Sequence, residues 1–133
     1  MRVFKNAWFE RFARKQRIPD EALLEAVARA ERGQIDADLG GGVIKQRVAR
    51  RGQGRSGGFR TIILYRTGTL AYFVYGFAKS DQSNIDAAEE ALFRKAAVHV
   101  LVFSDEQLSA LILKGQFSEL EPDSYERDEK ISE

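Results

Sequence analysis

The beginning of the chain has the apolar pattern of one short strand followed by a helix. Arg2–Lys5 alternates polar and apolar residues, which predicts a short strand. Asn6 comes next, and its side chain is suited to cap the helix that the following residues predict. The apolar positions of that helix recur at helical spacing and are expected to lie in the core: Trp8, Phe9, Phe12 and Ala13.

A second helix is predicted after a proline break. Pro19 disfavours helical geometry at Ile18, and Asp20 can cap a helix that extends to about Arg32. Gly33 is suited to end this helix. Its apolar stripe consists of Leu23, Leu24, Val27 and Ala28. Because the connection between the two helices is short, we expect a helical hairpin.

Beyond Gly40–Gly42 the apolar period changes to two, which indicates strands. Val43–Ala49 is the first of them, and one of its sides carries Ile44, Gln46 and Val48. Lys45 and Arg47 lie on the other side, because successive strand residues point to opposite faces. This strand therefore has a basic face.

Two further strands are predicted to form a hairpin. Phe59–Arg66 and Leu70–Lys79 are rich in β-branched and aromatic residues, and Thr67–Thr69 between them has glycine at its centre. In the second of these strands one face is expected to carry Phe73, Tyr75, Phe77 and Lys79.

The C-terminal part is predicted to be helical. Ser83 or Asn84 can cap one helix, and a capping box at Ser104–Gln107 opens another over Leu108–Lys114. Between them, Val98–Phe103 fits either a continuation of the first helix or a strand.

The order of these elements places the chain in the α+β class. Strands and helices occur in separate runs, whereas a parallel β-α-β fold would alternate them. A length of 133 residues fits one domain. We assign residues 1–118 to that domain and residues 119–133 to an acidic tail, which its polar composition predicts to be disordered.

Composition excludes several kinds of site. The chain has no cysteine, which rules out disulfides, thiolate metal sites and a cysteine nucleophile. His99 is its single histidine and lies in an apolar run, so a core or interface position is expected and no metal site or cofactor is predicted. The longest uncharged run, Thr67–Ala78, has 12 residues and is too short to cross a bilayer. We expect a cytoplasmic protein without a membrane partner.

The net charge of +1 conceals a strong asymmetry. Residues 39–80 carry eight Lys and Arg and no acidic residue, whereas residues 81–133 carry five basic and 13 acidic residues. An acid-free segment of this length indicates that the partner of the middle of the chain is a polyanion such as a nucleic acid.

Four cations of this segment can meet at one place. Lys45 and Arg47 share a strand face, Arg60 lies near the start of the next strand, and Lys79 closes the third. Such a cluster can bind a phosphodiester and stabilise a pentacoordinate transition state. Clustered cations also lower one another's proton affinity, so a lysine among them can act as a general base. The alternative is that these are ordinary exposed positions on a sheet.

Further basic residues extend the predicted nucleic-acid contacts to Arg50, Arg51, Arg55, Arg66 and the aromatic Tyr75. The Gly-rich loop that carries Arg51 and Arg55 joins two strands rather than opening a helix, so it is not a nucleotide P-loop. It is either a flexible basic strap along a nucleic-acid backbone or an ordinary long hairpin loop. Tyr75 can stack a base if it lies on the basic face, although packing is the commoner use of a tyrosine.

Three segments of the chain resemble the RelE-like toxins of bacterial toxin–antitoxin pairs, the RelE/ParE superfamily. Residues 35–50 contain the basic strand. Gly52–Arg60 contains Ser-Gly-Gly-Phe-Arg, and Tyr75–Asp81 contains Phe-Ala-Lys. The resemblance implies a small α+β fold in which an N-terminal helical hairpin packs on an antiparallel sheet, with helices at the C-terminus. It also implies a metal-independent endoribonuclease that cleaves mRNA, usually at the ribosome, and thereby inhibits translation. An antitoxin protein is the implied inhibitory partner.

The resemblance also implies roles for four residues. Arg60 matches the arginine that contacts the scissile phosphate, and Lys45 and Arg47 match basic positions that supply the base or charge stabilisation. Lys79 matches the residue associated with the leaving group. The sequence departs from this pattern just beyond Lys79, where Ser80-Asp81 replaces a further basic residue and a tyrosine. Two alternatives remain open: a non-catalytic toxin that inhibits DNA gyrase, and a nucleic-acid-binding regulatory module.

Overall fold

Ten helices and strands make up the described part of the chain. The computed structural model describes residues 1–50 and 54–121, with the backbone alone for residues 54–56. In chain order the elements are β1 (Arg2–Asn6), α1 (Ala7–Gln16), α2 (Asp20–Glu31), β2 (Ala37–Gly40), β3 (Val43–Arg50), β4 (Gly54–Arg66), β5 (Leu70–Ala78), α3 (Ala87–Val100), α4 (Asp105–Leu113) and β6 (Phe117–Glu119). The α+β class is therefore confirmed.

The six strands form one mixed sheet in the order β2-β3-β4-β5-β1-β6. Strands β2 to β5 are antiparallel to their neighbours, as expected of consecutive hairpins. The chain begins with a strand, as the pattern of Arg2–Lys5 predicted, and this strand, β1, pairs parallel to β5, with Phe4 opposite Tyr72. The expectation of an N-terminal helical hairpin on an antiparallel sheet was wrong in this respect. Strand β1 occupies the edge of β5 that the hairpin of β4 and β5 leaves unpaired.

Side-chain caps set the beginnings of three helices. Asn6 accepts a hydrogen bond from the Phe9 amide at 2.7 Å and caps α1, as predicted. Ser104 and Gln107 form the predicted capping box of α4. The cap of α3 is Asp86 with Glu89 rather than Ser83 or Asn84. Helix α2 begins at Asp20 itself, after Pro19, without a side-chain cap.

The sheet separates two hydrophobic clusters, and we name its faces after them. The covered face lies under α1 and α2, and its core includes Val3, Phe9, Leu23, Ile44, Val48, Phe59, Ile63 and Phe73. The half-open face lies partly under α3 and α4, and its core includes Phe4, Val43, Ile62, Leu64, Tyr72, Phe77, Ala97 and Leu108. At the far end of this face Arg47 and Lys79 are exposed, whereas Phe77 is buried.

An irregularity in β5 redirects its side chains. Ile62 pairs with Tyr75 but Ile63 pairs with Phe73, so Val74 is an extra residue in the strand. Phe73 therefore joins the core of the covered face, whereas Tyr75 and Phe77 pack with the cluster of the half-open face. The expectation that Phe73 shares a face with Tyr75 was wrong, because an alternating pattern does not reveal a bulge.

Two side chains that were expected to be buried, those of Trp8 and His99, are exposed. Phe9 is fully buried as predicted, but Trp8 on the same helix is 40% exposed. His99 is exposed on α3, so it is not a core residue.

The C-terminal part of the fold continues beyond the expected helices. Helix α3 extends to Val100, which settles most of the ambiguous segment as helix. Strand β6 adds to the outer edge of β1, and Leu120 after it is 2% exposed. Residues 119 and 120 of the predicted acidic tail thus belong to the sheet and core, and Glu121 after them is exposed. Residues 122–133 of that tail lie outside the described residues. Within the described chain no single helix is long and apolar enough to cross a membrane, although α3 and α4, bent by 115°, meet the length and composition criteria as a pair.

Candidate nucleic-acid interface

Strand register brings three of the four predicted site cations together. Arg47 pairs with Arg60 and Arg60 with Phe77, so these residues form one row across β3, β4 and β5. Lys45 lies in the neighbouring row, two residues along β3. Adjacent strands are about 4.8 Å apart, so Arg47 and Arg60 are immediate neighbours. Ile62 packs in the core of the half-open face, and Arg60 is two residues from it on the same strand. Arg60 and its row therefore also lie on the half-open face.

Lys79 lies just beyond the strand that contributes Phe77 to this row. It follows directly after the last residue of β5, Ala78, and comes two residues after Phe77. Its side chain is exposed. We name Lys45, Arg47, Arg60 and Lys79 the basic cluster. It occupies the part of the half-open face that α3 and α4 leave accessible.

The basic cluster lacks anionic partners. In the part of the chain that the structure describes, the side chains of Arg47, Arg60 and Lys79 take part in no ion pair or hydrogen bond. The Nη1 atom of Arg60 is buried and has no partner among the described residues. Lys45 Nζ donates to the neutral Asn84 Oδ1 at 3.2 Å. Unpaired guanidinium groups side by side can bind a phosphate through several charge-assisted hydrogen bonds.

A buried polar network behind β3 holds the strand that carries two of these cations. Gln46 is fully buried on the covered face, and its amide nitrogen donates to Ala26 O at 2.9 Å and to Gln34 O at 3.3 Å. Its Oε1 accepts from the Asp36 amide at 2.7 Å. Asp36 in turn accepts from the Arg47 amide at 2.6 Å. The backbone between Lys45 and Arg47 is therefore anchored from the opposite side of the sheet.

Arg29 completes this anchor from α2. Its side chain is 3% exposed, bonds to Glu25 at 3.0 Å, and lies 3.5 Å from the Asp36 carboxylate. One of its terminal nitrogens donates to the carbonyl of Arg47. Sequence reasoning missed this network. The signal was Gln46, a polar residue on the otherwise apolar side of β3, since a buried amide must find hydrogen-bond partners.

Tyr75 borders the basic cluster as a packed residue. Its hydroxyl donates to Gln82 Oε1 at 2.8 Å, and its ring stacks on Trp8 at a centroid distance of 4.8 Å. Burial raises the pKa of Tyr75, and the nearby Glu89 adds to the shift against the opposing hydrogen bond from Gln82. The phenol therefore stays protonated at neutral pH, and it can donate a hydrogen bond but cannot serve as a general base.

The other predicted RNA-binding residues are not gathered at this site. Arg50 lies over the ring of Phe59, 5.3 Å from its centroid, and Phe59 belongs to the covered face. Arg66 is six residues along β4 from Arg60, about 20 Å away, and its guanidinium donates to the carbonyl of Leu101 after α3. Arg51 and the side chain of Arg55 lie outside the described residues.

The chemistry available here is that of cations and amides. Among the described residues no group of three or more His, Asp or Glu side chains is arranged to hold a metal ion. The basic cluster can bind a phosphodiester, stabilise extra negative charge on it, and transfer protons through its lysines.

Comparison with known proteins gives one match. A family model described as the RelE toxin of the RelE / RelB toxin-antitoxin system matches residues 1–120. No curated protein and no solved structure matches the chain significantly.

Proposed function

The chain belongs to the RelE toxin family, the toxin component of a toxin–antitoxin system, and from that premise we propose that it is a metal-independent endoribonuclease that cleaves mRNA. The observation that carries this proposal is the pairing of Arg47 with Arg60 on an accessible sheet face, without a carboxylate partner among the described residues. An exposed cation cluster without counter-charge costs the fold electrostatic repulsion, which a bound phosphodiester would relieve.

The reaction needs no group beyond the RNA and this side-chain set. The 2′-oxygen of a ribose attacks the adjacent phosphorus, and Lys45 serves as the base that takes its proton, since an arginine retains its proton. The O2′–P bond forms while the P–O5′ bond breaks. Arg47 and Arg60 stabilise the pentacoordinate phosphorane. Lys79 gives a proton to the departing 5′-oxygen.

The products of this step are an RNA end with a 2′,3′-cyclic phosphate and another with a 5′-hydroxyl. Lys45 then loses its extra proton to water, and Lys79 takes a proton from water, so both side chains return to their starting states. Asn84 serves as a positioning residue, since it holds Lys45 Nζ at 3.2 Å and is itself held by Gln82, which donates to its carbonyl at 2.9 Å.

The family implies a cognate antitoxin as the partner of this toxin. We propose that the antitoxin inhibits by covering the basic cluster with an acidic or amphipathic segment, or by displacing α4. In its absence the toxin would act on mRNA, at the ribosome and in the cytoplasm.

Replacing Arg60 tests the proposal most directly. Arg60→Ala removes one transition-state donor, so cleavage should fall by about 10²- to 10³-fold. Growth arrest on induction should disappear with it. The matched control is Arg32→Ala, which removes an exposed arginine at the end of α2. Circular dichroism and thermal unfolding must show that both variants are folded.

Two measurements separate this proposal from the alternatives. Cleavage should persist in excess chelator and leave cyclic-phosphate ends, whereas a requirement for added magnesium would contradict the mechanism. If the induced protein damages DNA while protein synthesis continues, it inhibits gyrase or a similar enzyme and the ribonuclease proposal is wrong.

A further inference from the structure

A continuous row of aromatic rings leads away from the basic cluster around the edge of the sheet. Tyr75 stacks on Trp8 at 4.8 Å, Trp8 on Phe12 at 5.3 Å, and Phe12 meets Phe59 edge to face at 5.6 Å. The row can pass this edge because β1 ends at Asn6, which bonds to Val74 O at 3.2 Å, and α1 begins directly after it. Beyond that point α1, rather than a strand, borders β5.

The outer side of this row forms an open hollow with its own cations. The hollow has a volume of about 260 Å³ and is lined by Trp8, Arg11, Phe12, Lys15 and Gln16. Arg11 and Lys15 are exposed, and within the described chain neither takes part in an ion pair or hydrogen bond. No carboxylate is among the lining residues. The nearest acid on the same helix, Glu10, is engaged with Arg14 at 3.5 Å.

A second hollow continues the same surface. It measures about 220 Å³, shares Gln16 with the first, and is lined by Arg17, Arg50 and Phe59 among others, again without a carboxylate. Arg50 thus joins a surface distinct from the basic cluster.

We propose that the hollow at Trp8, Arg11 and Lys15 binds a nucleotide of single-stranded RNA outside the cleaved bond. The base would contact the exposed part of the Trp8 indole, and Arg11 and Lys15 would bind the flanking phosphates. Cations on both sides of an exposed indole edge favour a single-stranded nucleic acid over an acidic peptide, because each nucleotide carries a phosphate and a base at a regular spacing. The inference rests on the proposed function in that the same RNA strand would run from the basic cluster around β5.

The chain carries its own reporter for this site. Trp8 is the only tryptophan, so intrinsic tryptophan fluorescence measures the environment of the hollow alone. A non-cleavable, fully 2′-O-methylated RNA of about 12 nucleotides should change the Trp8 emission in a saturable manner. An oligomer of about four nucleotides should give the same change only at higher concentration, because it makes fewer contacts.

The double variant Arg11→Gln, Lys15→Gln tests the cations. Each phosphate contact contributes about 0.7 to the slope of log affinity against log salt for single strands, so the variant should lose about 1.4 from that slope. The control Arg32→Gln, Lys114→Gln removes the same charge from exposed sites on other helices and should keep the slope.

The outcomes distinguish this inference from the proposed function. If the wild-type protein cleaves RNA but the 12-nucleotide RNA leaves Trp8 emission unchanged, the hollow is not a nucleotide site and the proposed function stands. If poly-glutamate changes the emission as strongly as RNA, or both double variants lose the same slope, the inference is equally wrong. In Arg60→Gln the emission change should persist although cleavage is lost, and its loss there would contradict an independent subsite.

Discussion

The two faces of the sheet differ in whether their polar side chains have hydrogen-bond partners. On the covered face the buried polar residues Arg29, Gln46 and Thr61 all have partners, and Thr61 donates to Gln46 O at 2.9 Å. On the half-open face Arg47 and Arg60 have none among the described residues. A buried polar group without a partner costs about 1–3 kcal/mol. The Nη1 atom of Arg60 is buried without a partner among the described residues, whereas Arg47 is exposed and solvated until a ligand replaces the water. Pairing therefore maintains the fold on one face, and its absence leaves the other face free to bind.

One strand connects the two faces. In β3 the alternation of side chains places Gln46 in the polar network of the covered face and its neighbours Lys45 and Arg47 on the half-open face. The network of α2 and β3 thereby positions the cations that it does not touch. We expect substitutions on the covered face to affect stability first, and substitutions in the basic cluster to affect activity alone.

The largest effect on stability is expected from a cavity in the core of the covered face. Phe9→Ala removes a fully buried ring that contacts Phe12 and Phe73, and should lower the free energy of unfolding by about 3–5 kcal/mol. Leu92→Ala, at a position 66% exposed on α3, should change it by less than about 0.5 kcal/mol. Urea denaturation of both variants provides the measurement, and equal losses would contradict the distinction.

A substitution on the half-open face should show the reverse. Arg47→Gln should reduce RNA cleavage by about 10²-fold because one phosphate donor is lost. Its stability should stay within about 0.5 kcal/mol of the wild-type protein, since the side chain is exposed. Cleavage assays and thermal unfolding on the same preparation test this, and a destabilised Arg47→Gln would show that the cluster is structural.

The connecting network should show both effects. Gln46→Leu leaves the Asp36 amide and the carbonyls of Ala26 and Gln34 without their partner, which should cost about 1–3 kcal/mol. Cleavage should also fall under conditions in which the variant is fully folded, because β3 is no longer anchored beside Arg47. Gln34→Ala, which removes an exposed side chain, is the control. Full activity in folded Gln46→Leu would show that the network of the covered face does not position Arg47 for cleavage.

A smaller effect is expected at high pH. Burial raises the pKa of Tyr65 on the covered face from 10.0 to about 12, and its hydrogen bond to Glu31 adds to the shift. The unfolded state loses this proton first, so the contribution of Tyr65 is intact below pH 10 and is lost as the pH rises from 10 through 12. Tyr65→Phe should unfold with a flatter pH dependence in that range. An unchanged slope would show that Tyr65 is not the group responsible.

The smallest effect is expected from removing residues 122–133. Residues 81–133 carry 13 acidic and five basic residues, so an intramolecular brake on the basic cluster is the rival to the antitoxin. Attraction between exposed charges is screened at physiological salt, so we expect cleavage and antitoxin binding to be nearly unchanged. A large rise in activity would instead identify the C-terminal segment as the brake.

Local pattern was sufficient for much of the fold. The cap at Asn6, the capping box at Ser104, the basic strand β3 and the hairpin of β4 and β5 all depend on interactions between residues close in the chain. For the same reason, the pairing of Arg47 with Arg60 follows from neighbouring strands, and the resemblance to RelE-like toxins agrees with the family match.

Long-range contacts decided the rest. The parallel pairing of β1 with β5 and the addition of β6 join residues far apart in the chain, and no local pattern specifies such a partner. The bulge at Val74 and the exposure of Trp8 likewise lie where α1 packs against β5. The sequence by itself determined which residues carry charge and which local elements form. Only the tertiary structure decided which edge β1 joins and which side chains the helices cover, because both depend on contacts between residues far apart in the chain.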